Sequence, residues 1–357
     1  MTEAWMQAKA MRTFALVVGI ALLAAACTRS TGSGSNASPI DLYTAEPSQA
    51  DVQSLLGESN WWPGPPSFGV RPLDSASTPF QERFHVVERF SHIGTAETLA
   101  VQFALWSTTA TATTQMTNFQ SAFGTSASGP KVGDQVLYYG SQTSTAAPFE
   151  TATFVRTGQV VTTISLNRKG AYPSVSQLGR IATKIVSRLK NVLAGKLKPS
   201  PVPSSDRTLL PPAGPDVTLL GSARLPVEAV VVMLGFASPE MLAGILHGDG
   251  VDSMVFGDYV LDADTHMEMR AGLLDFSTTQ AADDWVNALR GTAAVDTKGL
   301  SSFYDDASGQ YFSVFSAGTK GAMLVCRSTS AVEAASRSCE APLSRVGPAW
   351  QVSLQGR

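Results

Sequence analysis

Charge is scarce in this chain of 357 residues. Only 15% of the residues are charged, and 26 basic and 29 acidic side chains leave a formal net charge of −3. A protein that binds nucleic acid through its phosphates carries a strongly basic face. We therefore expect no nucleic-acid partner.

The sequence also lacks common catalytic and metal-binding motifs. It has no Gly-x-Ser-x-Gly nucleophile elbow and no His-x-x-x-His pair among its four histidines. The acidic stretch from Asp249 to Glu268 does not have the spacing of an EF-hand. Alternating residues within it would share one face of a strand: Asp262, Asp264, His266 and Glu268. A solvated strand face is the favoured interpretation, with a cation site as the alternative, and no cofactor, metal site or catalytic residue is predicted.

Cysteine is rare, since only Cys27, Cys326 and Cys339 are present. An odd count would leave a free thiol in an exported protein unless one cysteine has another role. If Cys27 is modified, Cys326 and Cys339 can pair in an oxidising compartment, and the short loop gives about 3 kcal/mol of stabilisation. A redox or metal-binding pair is the alternative, but no histidine lies nearby in the sequence.

The N-terminal segment has the layout of a secretory signal peptide. Lys9 and Arg12 precede the uncharged run from Phe14 to Ala26, which ends in three alanines. This run is too short to span a bilayer, which takes about 20 residues. The small residues followed by Cys27 resemble a bacterial lipobox, which implies a signal peptide over residues 1–26 and lipidation of Cys27. The mature protein is then expected on the outer face of the cytoplasmic membrane, anchored by its lipid.

Composition divides the rest of the chain. Residues 27–40 are rich in Ser, Gly and Thr and predict a flexible tether, whereas residues 195–215 contain six prolines and predict a semi-rigid linker without regular structure. The linker separates a first domain, residues 41–194, from a second, residues 216–357.

The two halves share a sequence pattern. Ser107–Thr109 and Ser277–Thr279 each follow an apolar strand-like run and precede a helix-like segment, so a hydroxyl at the helix N-cap is expected in both. Each half continues with a hairpin pattern and a closing helix. We predict an α+β fold of two tandem, duplicated domains, each an antiparallel sheet with helices packed on one face.

Two groups of residues are candidates for ligand or surface contact. Trp61 and Trp62 lie in a proline-rich stretch and could meet a partner or a lipid interface; packing against the domain is the alternative. Arg180, Lys184 and Arg188 recur every fourth residue on a predicted helix and could meet anionic lipid head groups. A solvated helix face is the alternative for this stripe.

Several of these features together resemble a known group of proteins. Cys27, the Ser/Thr/Ala-rich composition and the Val132-Gly133-Asp134 segment ahead of a hairpin resemble uncharacterised actinobacterial, mycobacterial-type lipoproteins. The run Val160–Ile164 followed by an amphipathic helix also resembles the extracellular sensor domains of mycobacterial membrane Ser/Thr kinases. The resemblance implies a non-catalytic envelope protein.

Two functions follow. The favoured one is a lipid-anchored extracytoplasmic module that binds a ligand such as a lipid or small hydrophobic molecule, or senses it. The alternative is a cell-envelope hydrolase whose dispersed residues, for example His247, Asp249 and Glu268, meet only on folding.

Overall fold

The computed structural model of the protein describes residues 37–69, 82–140, 149–214, 217–235, 238–261, 264–296, 299–305, 309–328 and 339–356. The predicted signal peptide, the lipidation site Cys27 and the tether as far as residue 36 lie outside these residues and stay predictions. The last two residues of the predicted tether already belong to the first helix. Within the described ranges, no helix is both long and apolar enough to cross a membrane.

The first half of the chain begins with two helices and continues into a sheet. Its elements are α1 (Pro39–Ala45), α2 (Gln49–Leu56), β1 (Trp61–Pro63), β2 (Ser67–Gly69), β3 (Glu82–His92), β4 (Thr98–Trp106), α3 (Thr109–Phe123), β5 (Gln135–Gly140), β6 (Phe149–Thr157), β7 (Val160–Arg168) and α4 (Val175–Leu193).

The second half follows a single helical turn, α5 (Ser204–Arg207), and begins with a strand. Its elements are β8 (Val217–Pro226), α6 (Val227–Leu234), α7 (Pro239–Gly248), β9 (Ser253–Leu261), β10 (Asp264–Asp275), α8 (Thr279–Arg290), β11 (Ser301–Asp305), β12 (Gln310–Ala317), β13 (Lys320–Ser328) and α9 (Glu340–Gln355).

Each half forms one antiparallel sheet, and the two sheets have equivalent strand orders. The first runs β1-β3-β4-β7-β6-β5, with β2 also paired to β3, and the second runs β8-β9-β10-β13-β12-β11. The strands β3, β4, β7, β6 and β5 therefore correspond in order to β9, β10, β13, β12 and β11. The predicted α+β class and its two tandem sheet-containing halves are confirmed.

The shared Ser-Thr-Thr segments cap equivalent helices. The Thr108 hydroxyl accepts a hydrogen bond from the Thr111 N–H at the start of α3, and the Thr278 hydroxyl accepts one from the Ala281 N–H at the start of α8, both at 3.1 Å. These bonds satisfy N–H groups that have no partner within the first helical turn. The hydroxyl predicted at each N-cap is thus in place.

The helices are distributed over both faces of each sheet, which differs from the expected arrangement on one face. Phe103 and Ala104 are neighbours on β4, yet Phe103 belongs to the core under α4 and Ala104 to the core under α3. Val314 and Phe315 on β12 divide in the same way between α8 and α9. Successive side chains of a strand point to opposite faces, so α3 and α4 cover opposite faces, as do α8 and α9.

The two halves share one hydrophobic core. This core contains α1, α2 and α4 from the first half and α6, α7 and α8 from the second. Strand β2 contacts β8 and β9 at the boundary. Gly221 of β8 allows this approach, because a Cβ atom there would lie 2.4 Å from Cγ of Phe68.

Buried polar bonds also join the halves. The Phe68 N–H donates to Oδ2 of Asp258 at 2.6 Å, and the Ser67 hydroxyl donates to Oε1 of Glu268 at 2.7 Å. Arg270 and Arg327 in turn donate to Glu268, at 2.9 and 2.6 Å. We call these residues of β2, β9, β10 and β13 the inter-half network.

The proline-rich segment is packed against the second half, contrary to the expectation of a linker without regular structure. Besides the helical turn α5, it places Val202 and Leu210 in a second hydrophobic core, which lies under α9 and contains Leu343 and Trp350 of that helix. The Trp350 indole N–H donates to the Leu209 carbonyl at 2.6 Å, and the Tyr259 hydroxyl donates to the Pro211 carbonyl at 2.9 Å. Apolar side chains between the prolines explain this packing.

Candidate functional site

The adjacent tryptophans are part of the hydrophobic core. Trp61 is fully buried and Trp62 is 9% exposed. Strand β1 pairs Trp61 with His92 of β3, where the two rings meet edge to face, and the Trp61 N–H donates to Glu58. Burial leaves no surface for the predicted ligand or partner contact, so the packing alternative is correct.

The basic stripe on α4 is partly engaged within the molecule. Arg180 donates to the Ser176 hydroxyl on its own helix at 3.4 Å. Lys184 and Arg188 both contact Asp51 of α2, with the Lys184 ammonium 3.1 Å from one carboxylate oxygen and the Arg188 guanidinium 3.3 Å from the other. Arg188 also donates to the Thr44 carbonyl at 3.1 Å.

Of the three residues in the hydrolase alternative, Glu268 is held by other residues of the protein. Glu268 belongs to the inter-half network, where Ser67, Arg270 and Arg327 occupy its oxygens. Neither of the two pockets described below includes His247, Asp249 or Glu268. The side chains of Asp262, Asp264 and His266 lie outside the described residues, and within the described part no cluster of His, Cys, Asp and Glu suited to a metal ion is found.

One pocket lies at the end of α4 and is lined mainly by polar and basic side chains. Gly195 has φ +67° and ends the helix, and the N–H groups of Lys196 and Leu197 then bond back to the Asn191 carbonyl. This left-handed turn, which glycine adopts without strain, folds the chain over the last helical turn. The result is an open cavity of about 400 Å³, which we call the α4 pocket. It is lined by Lys184, Ser187, Arg188, Asn191, Lys196 and Leu197.

Two buried glutamates lie behind Arg188. Glu46 follows α1 and Glu88 lies on β3, and they are 4% and 5% exposed. Burial and the Glu88 charge raise the pKa of Glu46 well above its usual value, while Arg188 opposes the shift. Burial raises the pKa of Glu88 to about 8, again opposed by Arg188. Neither carboxyl oxygen of Glu46 has a hydrogen-bond partner in the described part of the protein.

A second pocket lies where the proline-rich segment meets the last helix. This open cavity of about 310 Å³ is within the range of small-molecule sites. Its walls are apolar apart from one guanidinium. We call it the linker pocket, and it is lined by Pro212, Ala213, Gly214, Val217, Arg345, Val346 and Ala349.

Cys326 and Cys339 form a disulfide that joins β13 to the beginning of α9. Both residues are fully buried in the second hydrophobic core. Since α9 supplies three of the residues around the linker pocket, the disulfide fastens one wall of that pocket to the sheet. The predicted pairing is present.

Sequence reasoning missed the acidic residues that lie near Arg188 and the one charged residue of the linker pocket. Asp51, Glu46 and Glu88 gave no pattern, because each acquires its role from elements distant in sequence. Arg345 is the only basic residue of α9, so no repeat of charge marks it in the sequence. The repeat of basic residues on α4 did locate one wall of the α4 pocket.

Comparison with known proteins gives little further information. No protein-family model matches the chain, and no curated protein sequence matches it. Among solved structures, the crystal structure of the extracellular domain of PknH from Mycobacterium tuberculosis is similar over 43% of this chain and 97% of that domain. The TM-score is 0.35 and the sequence identity is 14%.

Proposed function

We propose that the protein is a lipid-anchored, extracytoplasmic, non-catalytic module that binds a small amphiphile in the linker pocket. The proposed ligand has an apolar body and an anionic group. The linker pocket carries this proposal, because apolar walls favour hydrocarbon and the guanidinium of Arg345 favours a carboxylate or phosphate.

The proposed location outside the cytoplasm rests on the N-terminal sequence and on the disulfide. Signal peptide and lipobox patterns precede Cys27. The pairing of Cys326 with Cys339 fits an oxidising compartment and leaves Cys27 for lipidation. Replacing Cys27 with Ala is expected to release the protein from the membrane fraction, and continued lipid labelling of that variant would contradict the anchor.

Binding is tested with dodecanoate and its uncharged analogue dodecanol. Titration calorimetry should detect dodecanoate binding that weakens about tenfold in Arg345→Gln, because a charge-assisted hydrogen bond is lost. Dodecanol should bind both proteins equally. Equal affinity of both proteins for dodecanoate would contradict the role of Arg345.

The pocket itself is tested by filling it. Ala349→Trp should abolish dodecanoate binding, since the indole occupies the cavity. Ala341→Trp is the matched control, because Ala341 is exposed on the same helix and does not line the pocket. If both tryptophan variants bind dodecanoate as the wild type does, the ligand does not bind there.

A further inference from the structure

The α4 pocket gathers cationic groups around one open space. Lys184, Arg188 and Lys196 line it, together with the hydroxyl of Ser187 and the amide of Asn191. All of these side chains can donate hydrogen bonds. A set of convergent donors that includes three cations suits an oxyanion.

An internal carboxylate already shows that two of these cations converge. The two oxygens of Asp51 lie 3.1 Å from the Lys184 ammonium and 3.3 Å from the Arg188 guanidinium. Burial alone would raise the pKa of Asp51, but hydrogen bonds from Lys184 and Ser48 outweigh it and hold that pKa below its usual value. Asp51 is therefore anionic at neutral pH, and it cancels one of the three positive charges.

Lys196 supplies positive charge without such a partner. No ion pair or side-chain hydrogen bond joins it to another residue in the described ranges. The pocket thus keeps a net charge of about +2, counting Lys184, Arg188 and Lys196 against Asp51. This matches the charge of a sulfate or phosphate ion.

Arg188, which lines the α4 pocket, also interacts electrostatically with the buried glutamates Glu46 and Glu88. Its charge opposes the pKa rise of both Glu46 and Glu88. The groups that face this pair are Tyr43 on α1 and Arg188 on α4. The Nε atom of Arg188 is buried without a hydrogen-bond partner in the described part of the chain, so Arg188 lacks a complete set of internal acceptors.

We propose that the α4 pocket binds a phosphate-type oxyanion between Lys184, Arg188 and Lys196, and that this binding is linked to proton uptake by Glu46 and Glu88. An anion at Arg188 cancels part of the positive charge that opposes protonation of the two glutamates. By linkage, protonated glutamates strengthen anion binding by the same factor. This site is separate from the linker pocket, so either proposal can fail alone.

The first test measures sulfate binding, because sulfate does not change its charge between pH 6 and pH 9. We use the full chain with Cys27→Ser, so that no attached lipid contributes, and titrate sulfate by calorimetry. Lys196→Gln should weaken binding about tenfold. The control Lys190→Gln removes the same charge from the exposed side of the helix outside the pocket, and should change affinity less than twofold. Absence of sulfate binding, or equal weakening by both variants, overturns the site.

A second variant should strengthen binding, which misfolding cannot imitate. Asp51→Asn removes the internal anion and keeps an oxygen that can accept from the Ser48 N–H. We expect sulfate to bind at least about fivefold more tightly. Unchanged or weaker binding by a folded Asp51→Asn protein contradicts the placement of the anion.

The proton linkage has its own test. Sulfate affinity of the wild type should fall about tenfold between pH 6 and pH 9. In the double variant Glu46→Gln and Glu88→Gln this pH dependence should disappear. A fall of the same size in the double variant overturns the linkage.

The source of the oxyanion is distinguished by vesicles. Binding to phosphatidylglycerol vesicles and not to phosphatidylcholine vesicles, with competition by free phosphate, identifies a lipid head group. Binding to free phosphate without vesicle binding identifies a soluble ion. Either result supports the site, whereas vesicle binding that Lys196→Gln leaves unchanged contradicts it.

Discussion

The two halves of the molecule order their strands alike but turn different faces toward their common core. In the first half the sheet face under α4 joins the shared core, and the face under α3 forms a small separate one. In the second half the face under α8 joins the shared core, although α8 corresponds to α3 in chain order. The halves therefore have the same topology and are not interchangeable in packing.

The edge strands explain part of this difference. In the first half the edge next to β3 is built from the short strands β1 and β2, which follow a helix pair. In the second half the long strand β8 forms the equivalent edge and precedes its helix pair. Because β2 lies against β8 and β9, the two edges meet where the halves join. The inter-half network lies at this junction.

The largest expected effect comes from breaking the inter-half network. Glu268→Ala should lower the free energy of unfolding by about 3–5 kcal/mol, because the buried Arg270 loses its nearer carboxylate partner and keeps only Asp258 at 4.0 Å. Asp275→Ala is the control, since the Asp275–Lys320 pair lies on an exposed end of the same sheet, and it should cost at most about 1 kcal/mol. Denaturant unfolding measures both changes, and equal costs would mean that the network does not stabilise the junction.

Two buried glutamates, Glu88 in the first half and Glu268 in the second, should affect the stability of the fold oppositely as pH changes. Burial raises the pKa of Glu88 to about 8, so its protonated form contributes stability that is complete below about pH 4.5 and is lost as pH rises through 8. For Glu268, burial raises the pKa, but Arg270 and Arg327 outweigh it and lower it to about 2. Its contribution is present above pH 4.5 and is lost as pH falls through 2.

Replacing both Glu46 and Glu88 with glutamine measures how much these two residues contribute to the pH dependence of stability. Between pH 5 and pH 8 the free energy of unfolding of the wild type should fall as pH rises. The fall is up to about 1.4 kcal/mol per pH unit for each proton that the folded state keeps and the unfolded state has released. Glu46→Gln with Glu88→Gln should flatten this slope, whereas the exposed control Glu240→Gln on α7 should not. A double variant with the wild-type slope in thermal unfolding would contradict the assignment.

The packing contact between β2 and β8 also joins the two halves, and breaking it should have the next largest effect on stability. Gly221→Ala places a methyl group against the Phe68 ring and should lower the unfolding free energy by about 1–3 kcal/mol. Gly170→Ala is the control, because no atom lies within 4 Å of a Cβ atom there. Similar effects of the two substitutions in denaturant unfolding would show that the Gly221 contact is readily relieved.

Local patterns in the sequence predicted local structure well. The apolar spacing from Val175 to Val192 matches α4, and the hydroxyl residues ahead of α3 and α8 serve as their caps. These features depend on neighbours within a few residues. They can therefore be inferred without knowledge of the fold.

Features set by distant partners could not be inferred in this way. Trp61 and Trp62 have no alternating pattern, and their burial follows from pairing with β3 some thirty residues later. Glu46 and Glu88 look like ordinary surface residues, and only the approach of α1 to β3 and α4 buries them. The candidate sites therefore depend on tertiary contacts more than on motifs.

The smallest expected effect comes from removing the N-cap hydroxyl of α3 or of α8, and it tests whether the two halves unfold together. Thr108→Ala and Thr278→Ala each remove one hydroxyl acceptor at a helix start, and each should cost about 1 kcal/mol. Although α3 packs on the small separate core and α8 on the shared core, cap energy is a local property and should be similar for the two, with a small addition at Thr108 because its hydroxyl also donates to the Thr111 hydroxyl at 3.3 Å. If the shared core makes the protein unfold as one unit, both variants should shift a single denaturant transition by similar amounts. A second transition that moves only with Thr108→Ala would show instead that α3 and its core unfold independently of the rest.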